Sequence, residues 1–385
     1  MTTLNLSLSA KALHDAVNAV KRAIPKKFVL ESLACVLLDA DAEKGTLKIS
    51  ATNLELTLTA DVDAEVFSTG QFCIEAKALL KVAKTLKDEK APLRLKADFT
   101  KRTPRLAISI GHDFTTTLIG VDPGQFPPVP VSSGDLTTVT LPDFKSVFDV
   151  IVIAASEDDA RPALNNVHLT GHREAQFARL EAVDGFCLTR YGFAENVDIQ
   201  GDFDILLSAK HLKTALAELG KSAITFEIDA EKQRVYFCGN SNVHASMLLD
   251  IGYFPDLQKM FPSKPTVCTL TASCKELSRG LELVELTLNE GKPVVELNID
   301  AEDNAFLFTK DGETGTHFAL EPHDDGTSGS IRIGVNKKIL SNLLKPWAKA
   351  KETVHFFFYS WNAPVLLRYA NTDFESILMP MNLDY

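Results

Sequence analysis

Two groups of side chains in this sequence could do chemistry on their own. Glu157, Asp158 and Asp159 stand together in the stretch SEDDARP, and His323, Asp324 and Asp325 form a second acidic cluster. Carboxylates this close are what a metal-dependent hydrolase uses to hold its ion and activate water. Nothing around them completes such a site. The chain has no H-E-x-x-H, no G-x-x-x-x-G-K-[ST], no G-x-S-x-G and no Gly-rich dinucleotide turn. The six cysteines, Cys35, Cys73, Cys187, Cys238, Cys268 and Cys274, form no C-x-x-C pair and no Cys/His set with metal spacing. Cys35, Cys73, Cys187 and Cys238 lie in apolar stretches and read as small buried hydrophobes, and the acidic clusters read as loops and helix ends. No catalytic residue, metal or cofactor is expected, and the chain is not expected to be an enzyme.

The lysines carry more information. The net charge of −11 argues against a protein that coats nucleic acid with its whole surface. The charge is nevertheless sorted. Six helical windows, at 10–27, 75–87, 143–155, 208–221, 274–287 and 336–351, sum to +12, which leaves −23 for the rest of the chain. In the second window Lys77, Lys81 and Lys84 fall on one side of a helix, and Leu79, Val82, Ala83 and Leu86 on the other. A lysine-rich surface without base-reading groups suits a polyanion held by its backbone, with salt-sensitive and sequence-blind affinity.

The elements that position these lysines recur along the chain. Lys77, Lys210 and Lys337 each follow an apolar strand-like stub and open an amphipathic helix, 133 and 127 residues apart. Asn53, Asp184 and Asp311 mark turns spaced 131 and 127 apart. A further helix precedes each turn, and alternating strands follow each Lys-led helix. The first two sets end in Phe126-Pro127 and Phe254-Pro255, read as interdomain joints. A repeat of one third of the chain follows. The expected fold is α+β, with two helices and about eight short strands per unit, the helices on one face of an antiparallel sheet layer. The expected domains are 1–132, 133–263 and 264–385. No stretch approaches the roughly 20 apolar residues of a membrane span. The start lacks a basic segment followed by an apolar one, so a cytoplasmic location is expected.

Repeats, charge sorting and the terminus together resemble the bacterial DNA polymerase III β subunit family, the sliding clamps. The resemblance covers the whole chain. Its most specific residues are Leu164-Asn165, Asp184-Gly185 with Leu188, Phe254-Pro255-Asp256 and the final Met379-Pro380-Met381-x-Leu383. It implies three similar domains per chain and a head-to-tail homodimer that closes as a ring of six. Helices would line the hole and sheets would form the outer wall. Such a ring encircles duplex DNA without sequence preference. A clamp loader opens it, and it tethers DNA polymerase III α subunit and other polymerases and repair proteins, performing no chemistry itself.

Residue by residue, the resemblance implies a DNA-facing set of Lys11, Lys21, Arg22, Lys27, Lys77, Lys81, Lys84, Lys210, Lys337 and Lys345. It implies a partner-peptide pocket from Leu164, Val183, Gly185, Leu188, Pro255, Lys259, Met260, Ile339, Ile377, Leu378, Met379, Pro380, Met381 and Leu383. It implies a ring interface in which Phe114 and Thr116 face Leu286 and Thr287. Departures fall at the pocket rim. Phe186-Cys187 stands where the family usually has His-Arg, Asn382 replaces a basic residue, and Asp384 and Tyr385 extend past the usual last Leu. A more apolar peptide preference is expected. A specialised or phage-encoded clamp is one alternative, and a monomeric peptide-binding adaptor is another, of a different class.

Overall fold

The structure, a computed structural model, describes residues 4–100, 103–132, 136–220, 223–238, 242–288, 293–302, 304–311, 314–321, 327–349 and 352–383. The cluster at His323, Asp324 and Asp325, and the terminal Asp384 and Tyr385, lie outside these residues.

One order of elements occurs three times. The first third holds β1 (Asn5–Leu8), α1 (Ala10–Val20), β2 (Cys35–Asp41), β3 (Thr46–Thr52), β4 (Leu56–Asp63), β5 (Glu65–Ser68), β6 (Gly70–Glu75), α2 (Ala76–Leu86), β7 (Leu93–Asp98), β8 (Arg105–Ile110) and β9 (Phe114–Val121). The second holds β10 (Thr137–Leu141), α3 (Phe144–Ile151), β11 (Asn166–His172), β12 (Phe177–Val183), β13 (Cys187–Phe193), β14 (Asp198–Ile199), β15 (Phe203–Ser208), α4 (Ala209–Leu219), β16 (Ile224–Asp229), β17 (Arg234–Cys238) and β18 (Val243–Leu248). The third holds β19 (Cys268–Ser273), α5 (Cys274–Val284), β20 (Val294–Ile299), β21 (Ala305–Asp311), β22 (Thr314–Leu320), β23 (Thr327–Ser328), β24 (Ile331–Asn336), α6 (Lys337–Ala348), β25 (Thr353–Phe358), β26 (Val365–Tyr369) and β27 (Phe374–Leu378). Among the described residues, each third therefore has nine strands rather than eight. They form a group of four and a group of five, not one layer. The difference comes from β5, β14 and β23, strands of two to four residues, too short to show alternation in sequence.

The chain forms two compact units. One holds Met1–Lys145, Asn196–Gly201 and Lys210–Asp250, and the other Ser146–Glu195, Asp202–Ala209 and Ile251–Tyr385. In the first, the strand order is β14-β10-β16-β17-β18-β4-β3-β2-β6-β9-β8-β7-β1-β5. In the second, a nine-stranded sheet runs β15-β11-β12-β13-β27-β26-β25-β19-β23, beside a four-stranded sheet β22-β21-β20-β24. The pairing follows a rule. The last strand of the middle third, β18, pairs antiparallel with β4, the fourth strand of the first third. The last strand of the final third, β27, pairs with β13, the fourth strand of the middle third.

Local physics accounts for the elements. β7 alternates buried and exposed residues from Leu93 onward, as a strand with one wet face must. The helix α2 buries Ala76, Leu79, Ala83 and Leu86, and α1 packs against it. Asn336 caps α6, its side chain accepting from the Lys338 and Ile339 amides. The predicted turns at Asn53 and Asp184 have one construction: the Asn53 Oδ1 accepts from the Glu55 and Leu56 amides, and the Asp184 Oδ1 from those of Phe186 and Cys187. The cysteines are free, and all are buried except Cys238. Cys238 departs from its expected burial because it sits on the exposed last position of β17. No described helix is long and apolar enough to cross a membrane.

Candidate functional site: an apolar groove at the second seam

The seam between β13 and β27 is where most of the predicted pocket residues meet. Residues directly opposite one another form a row across four strands: Val183 on β12, Leu188 on β13, Ile377 on β27 and Leu366 on β26. Phe357 on β25 extends it. Cross-strand partners share a sheet face, so the row is a continuous apolar strip. The four central side chains are buried, and Leu257 closes over them. Around this floor the half-buried Leu164, Phe254, Met260, Phe261, Phe357 and Tyr359 present apolar surface. Of these, the sequence reading placed only Leu164 and Met260 in the pocket.

The equivalent row at the first seam differs in chemistry. There Thr52, Thr57 and Ser246 occupy the positions of Val183, Leu188 and Ile377. The Thr52 and Thr57 hydroxyls bond each other at 2.9 Å, and Arg234 donates to Ser246. Only the second seam offers an apolar floor.

The rim is built from the turn and the terminus. Gly185 has φ of +93°, a left-handed conformation that favours glycine. The Arg161 guanidinium donates to the Asp184 carbonyl at 2.8 Å and fixes the turn from outside. Phe186 is 59% exposed, so an aromatic ring stands at the rim. Burial, with Asp184 nearby, raises the Cys187 thiol pKa and keeps it neutral. Pro255 is half-buried in the joint, next to Asp256, whose carboxylate accepts from the Gln258 amide and pairs with exposed Lys259 at 3.3 Å.

The final residues are pinned. The Met379 amide donates to the Phe186 carbonyl at 2.9 Å, and the Met381 amide to the Gly334 carbonyl at 2.8 Å. A Cβ on Gly334 would lie 2.4 Å from the Met381 oxygen and 3.0 Å from Leu383. Met379, Pro380, Met381 and Leu383 thus run half-exposed beside the strip. Two predicted pocket residues stand apart. Leu378 is fully buried on the opposite face of β27, because successive strand residues alternate faces. Ile339, half-buried on the first turn of α6, is not among the side chains packed on the floor.

Most of the predicted basic residues are at the surface. Lys11, Lys21, Arg22, Lys27, Lys77, Lys81, Lys84, Lys210 and Lys345 are exposed. Arg22 pairs with Glu218 at 2.5 Å. Lys337 differs: its side chain is 14% exposed and its ammonium is paired with Glu285. At the predicted interface, Phe114 and Thr116 lie on β9, and Thr116 bonds in the ladder to β8 alone. Leu286 is 80% exposed, whereas the Thr287 hydroxyl bonds Thr309 and Thr316. Among the described residues, no cluster of three or more His, Cys, Asp or Glu could hold a metal. Asp158, from the first acidic cluster, instead ties down Arg161 and the Ala160 amide.

Comparison with known proteins matches this architecture. The family model described as DNA polymerase III beta subunit, N-terminal domain, matches residues 4–129. The beta sliding clamp of Rickettsia felis is 22% identical over 99% of this chain and 100% of its own length. That of Streptococcus pneumoniae is 24% identical over 98% and 99%. Among solved structures, the DNA polymerase III beta subunit of Thermotoga maritima superposes with a TM-score of 0.80 at 24% identity, over 99% of this chain and 100% of that one. The beta subunit from DNA polymerase of Streptococcus pyogenes gives 0.85 at 19%, over 98% and 100%. Its first third thus matches the DNA polymerase III beta subunit family model, and its full length is similar in sequence to beta sliding clamps and shares the fold of DNA polymerase III beta subunits.

Proposed function

We propose that the chain is a DNA sliding clamp: two copies close head to tail into a ring around duplex DNA, and partner proteins dock a short apolar peptide in the groove at the second seam. The observation that carries this reading is the strand-pairing rule. Each internal seam joins the last strand of one third to the fourth strand of the third before it. The rule leaves one last strand, β9, and one fourth strand, β22. From Phe114 to Leu118, β9 pairs only with β8, and β22 is the edge of its sheet. Both strands have the same run of exposure; Phe114 on β9, and Leu286 in the turn after α5, present apolar surface. Exposed edges of this kind are templates for another chain. A second copy satisfies both, and a head-to-tail contact that meets its own start closes a ring of six repeats.

Domains of 1–132, 133–263 and 264–385 are the units of that ring. The basic helix faces then line the hole, with Lys11, Lys21, Lys27, Lys77, Lys81, Lys84, Lys210 and Lys345 as the phosphate contacts. Lys337 is excluded from direct contact by its pairing with Glu285. Weak contacts suffice, because linkage rather than affinity keeps a closed ring on DNA, and weak contacts let it slide. The groove serves DNA polymerase III α subunit, a clamp loader and repair proteins in turn. Adaptable Met379 and Met381 suit several ligands at one site. The protein performs no catalysis in this reading and works in the cytoplasm.

The test is oligomeric state. Sedimentation at micromolar concentration should give a dimer, and Thr117→Pro, which removes an N–H that faces away from β8, should give a monomer with unchanged helix and strand content. A wild-type monomer contradicts the ring and leaves the peptide-binding adaptor.

A further inference from the structure

Beside the apolar strip, one step further along the same strands, runs a row of charge. His168, Glu181, Arg190, Glu375, Arg368 and His355 are successive cross-strand partners from β11 to β25. Two guanidiniums share one carboxylate. Arg190 Nε and Nη2 donate to Glu375 Oε2, and Arg368 Nε donates to Glu375 Oε1. Glu375 thereby fixes the planes of both guanidiniums; Arg190 also donates Nη1 to Gln258 at 3.4 Å, so it is the Arg368 fork that Glu375 uses only in part. Arg368 donates through Nε, and its guanidinium lies 5.5 Å from the Phe357 ring.

Beyond this row lies a cavity of about 530 Å³, the size of a small-ligand site. Arg190, Arg368 and His355 form one wall, and Arg179 on β12 forms another. Arg179 stacks over Phe177, its guanidinium 5.5 Å from the ring, and makes no ion pair among the described residues. Gly192, opposite Arg179, leaves room for the Phe177 ring that Arg179 covers: a Cβ there would lie 2.9 Å from that ring. The acidic groups in the lining are Glu375, already shared by two arginines, and Asp373, which is exposed. The cavity therefore keeps an excess of donors held in fork geometry.

We propose that this cavity binds a small oxyanion, a phosphate or a dicarboxylate, held by Arg179 and Arg368 across the seam between the middle and final thirds. Guanidinium forks match phosphate and carboxylate oxygens bidentately. An anion there joins β12 to β26 and strengthens the seam that carries the groove. The cavity adjoins the groove, whose Phe261 and Phe357 rings lie under Arg190 and Arg368, and its occupancy does not depend on the clamp reading.

The experiment titrates the full chain with inorganic phosphate and, separately, with succinate, at constant ionic strength against chloride, by calorimetry and thermal melting. One or both should bind saturably and raise the melting temperature. Phosphate alone identifies a phosphate site, succinate alone a dicarboxylate site, and both an oxyanion site without further selection. Arg179→Gln should weaken binding about tenfold, the loss of a charge-assisted bond pair, while the melting temperature in chloride stays put. If Arg179→Gln does not fold, Arg179→Lys replaces it, with the same direction expected from loss of the fork. Saturation by neither anion, or undiminished binding in the variant, overturns the proposal.

Discussion

Gly334 has no side chain because the end of the chain crosses it. A Val there would drive its Cβ into the Met381 carbonyl, at an overpacking cost of about 1–3 kcal/mol. The expected result is release of Met379–Leu383, seen as faster carboxypeptidase trimming, with loss of partner-peptide binding and little change in strand content. Unchanged trimming would show that the Gly334 contact does not hold the terminus. Leu188→Ala is the complementary change: it empties the middle of the buried strip and should cost about 2–5 kcal/mol in chemical denaturation. A cost below about 1 kcal/mol would mean the floor collapses onto the gap. At this scale much of the site was legible. Leu164, Val183, Leu188, Met260 and Ile377 do come together. Leu378 was misplaced because a continuous apolar run hides which residues alternate to which face. Phe254, Leu257, Phe261 and Leu366 were missed because their part depends on which strands pair, and pairing is not written locally. The comparison of Thr57 with Leu188, each four residues after its turn residue, was available in the sequence and marks the second seam as the apolar one.

The two seams should fail at opposite ends of the pH scale. At the first, His244 on β18 reaches Asp61 on β4 at 3.4 Å. That hydrogen bond, helped by Cys238, raises the His244 pKa to about 9. A folded pKa above the ordinary value means the stabilisation is fully present below about 6.5 and is lost as pH rises through about 9. Both side chains are partly exposed, so about 1 kcal/mol is at stake. Amide exchange in β18, corrected for its intrinsic pH dependence, should lose protection between neutral pH and pH ~10, and His244→Asn should abolish that change. A flat profile in the wild type would contradict it. At the second seam burial pushes the Glu375 pKa up, but hydrogen bonds from Arg190 and Arg368 outweigh burial and hold it low. That stabilisation is present above about pH 4.3 and is lost as pH falls through the folded value, so β27 protection should drop in acid and not in base. Neither seam pair was legible. Each joins residues more than 180 positions apart in sequence, and the register between the strands alone brings them together. The helices, by contrast, were legible from periodicity, because each buries one stripe against its own third.

Across the whole molecule the repeat was the strongest signal in the sequence. Lysines, turns and Phe-Pro joints recurred with a common spacing, and the structure returns one element order in all three thirds. The division of each third into groups of four and five strands was not visible, since short linking strands carry no pattern. Charge sorting leads to one expectation for the assembly. Replacing Lys77, Lys81 and Lys84 by Ala should leave the sedimenting species unchanged and lower the salt dependence of DNA association; an unchanged salt slope would remove α2 from the DNA-facing surface. The most direct test of the clamp account is topological. The protein is loaded on nicked circular DNA with a clamp loader, washed in high salt, and the DNA is then linearised. The account predicts retention on the circle and release from the linear form, and equal retention on both would contradict it.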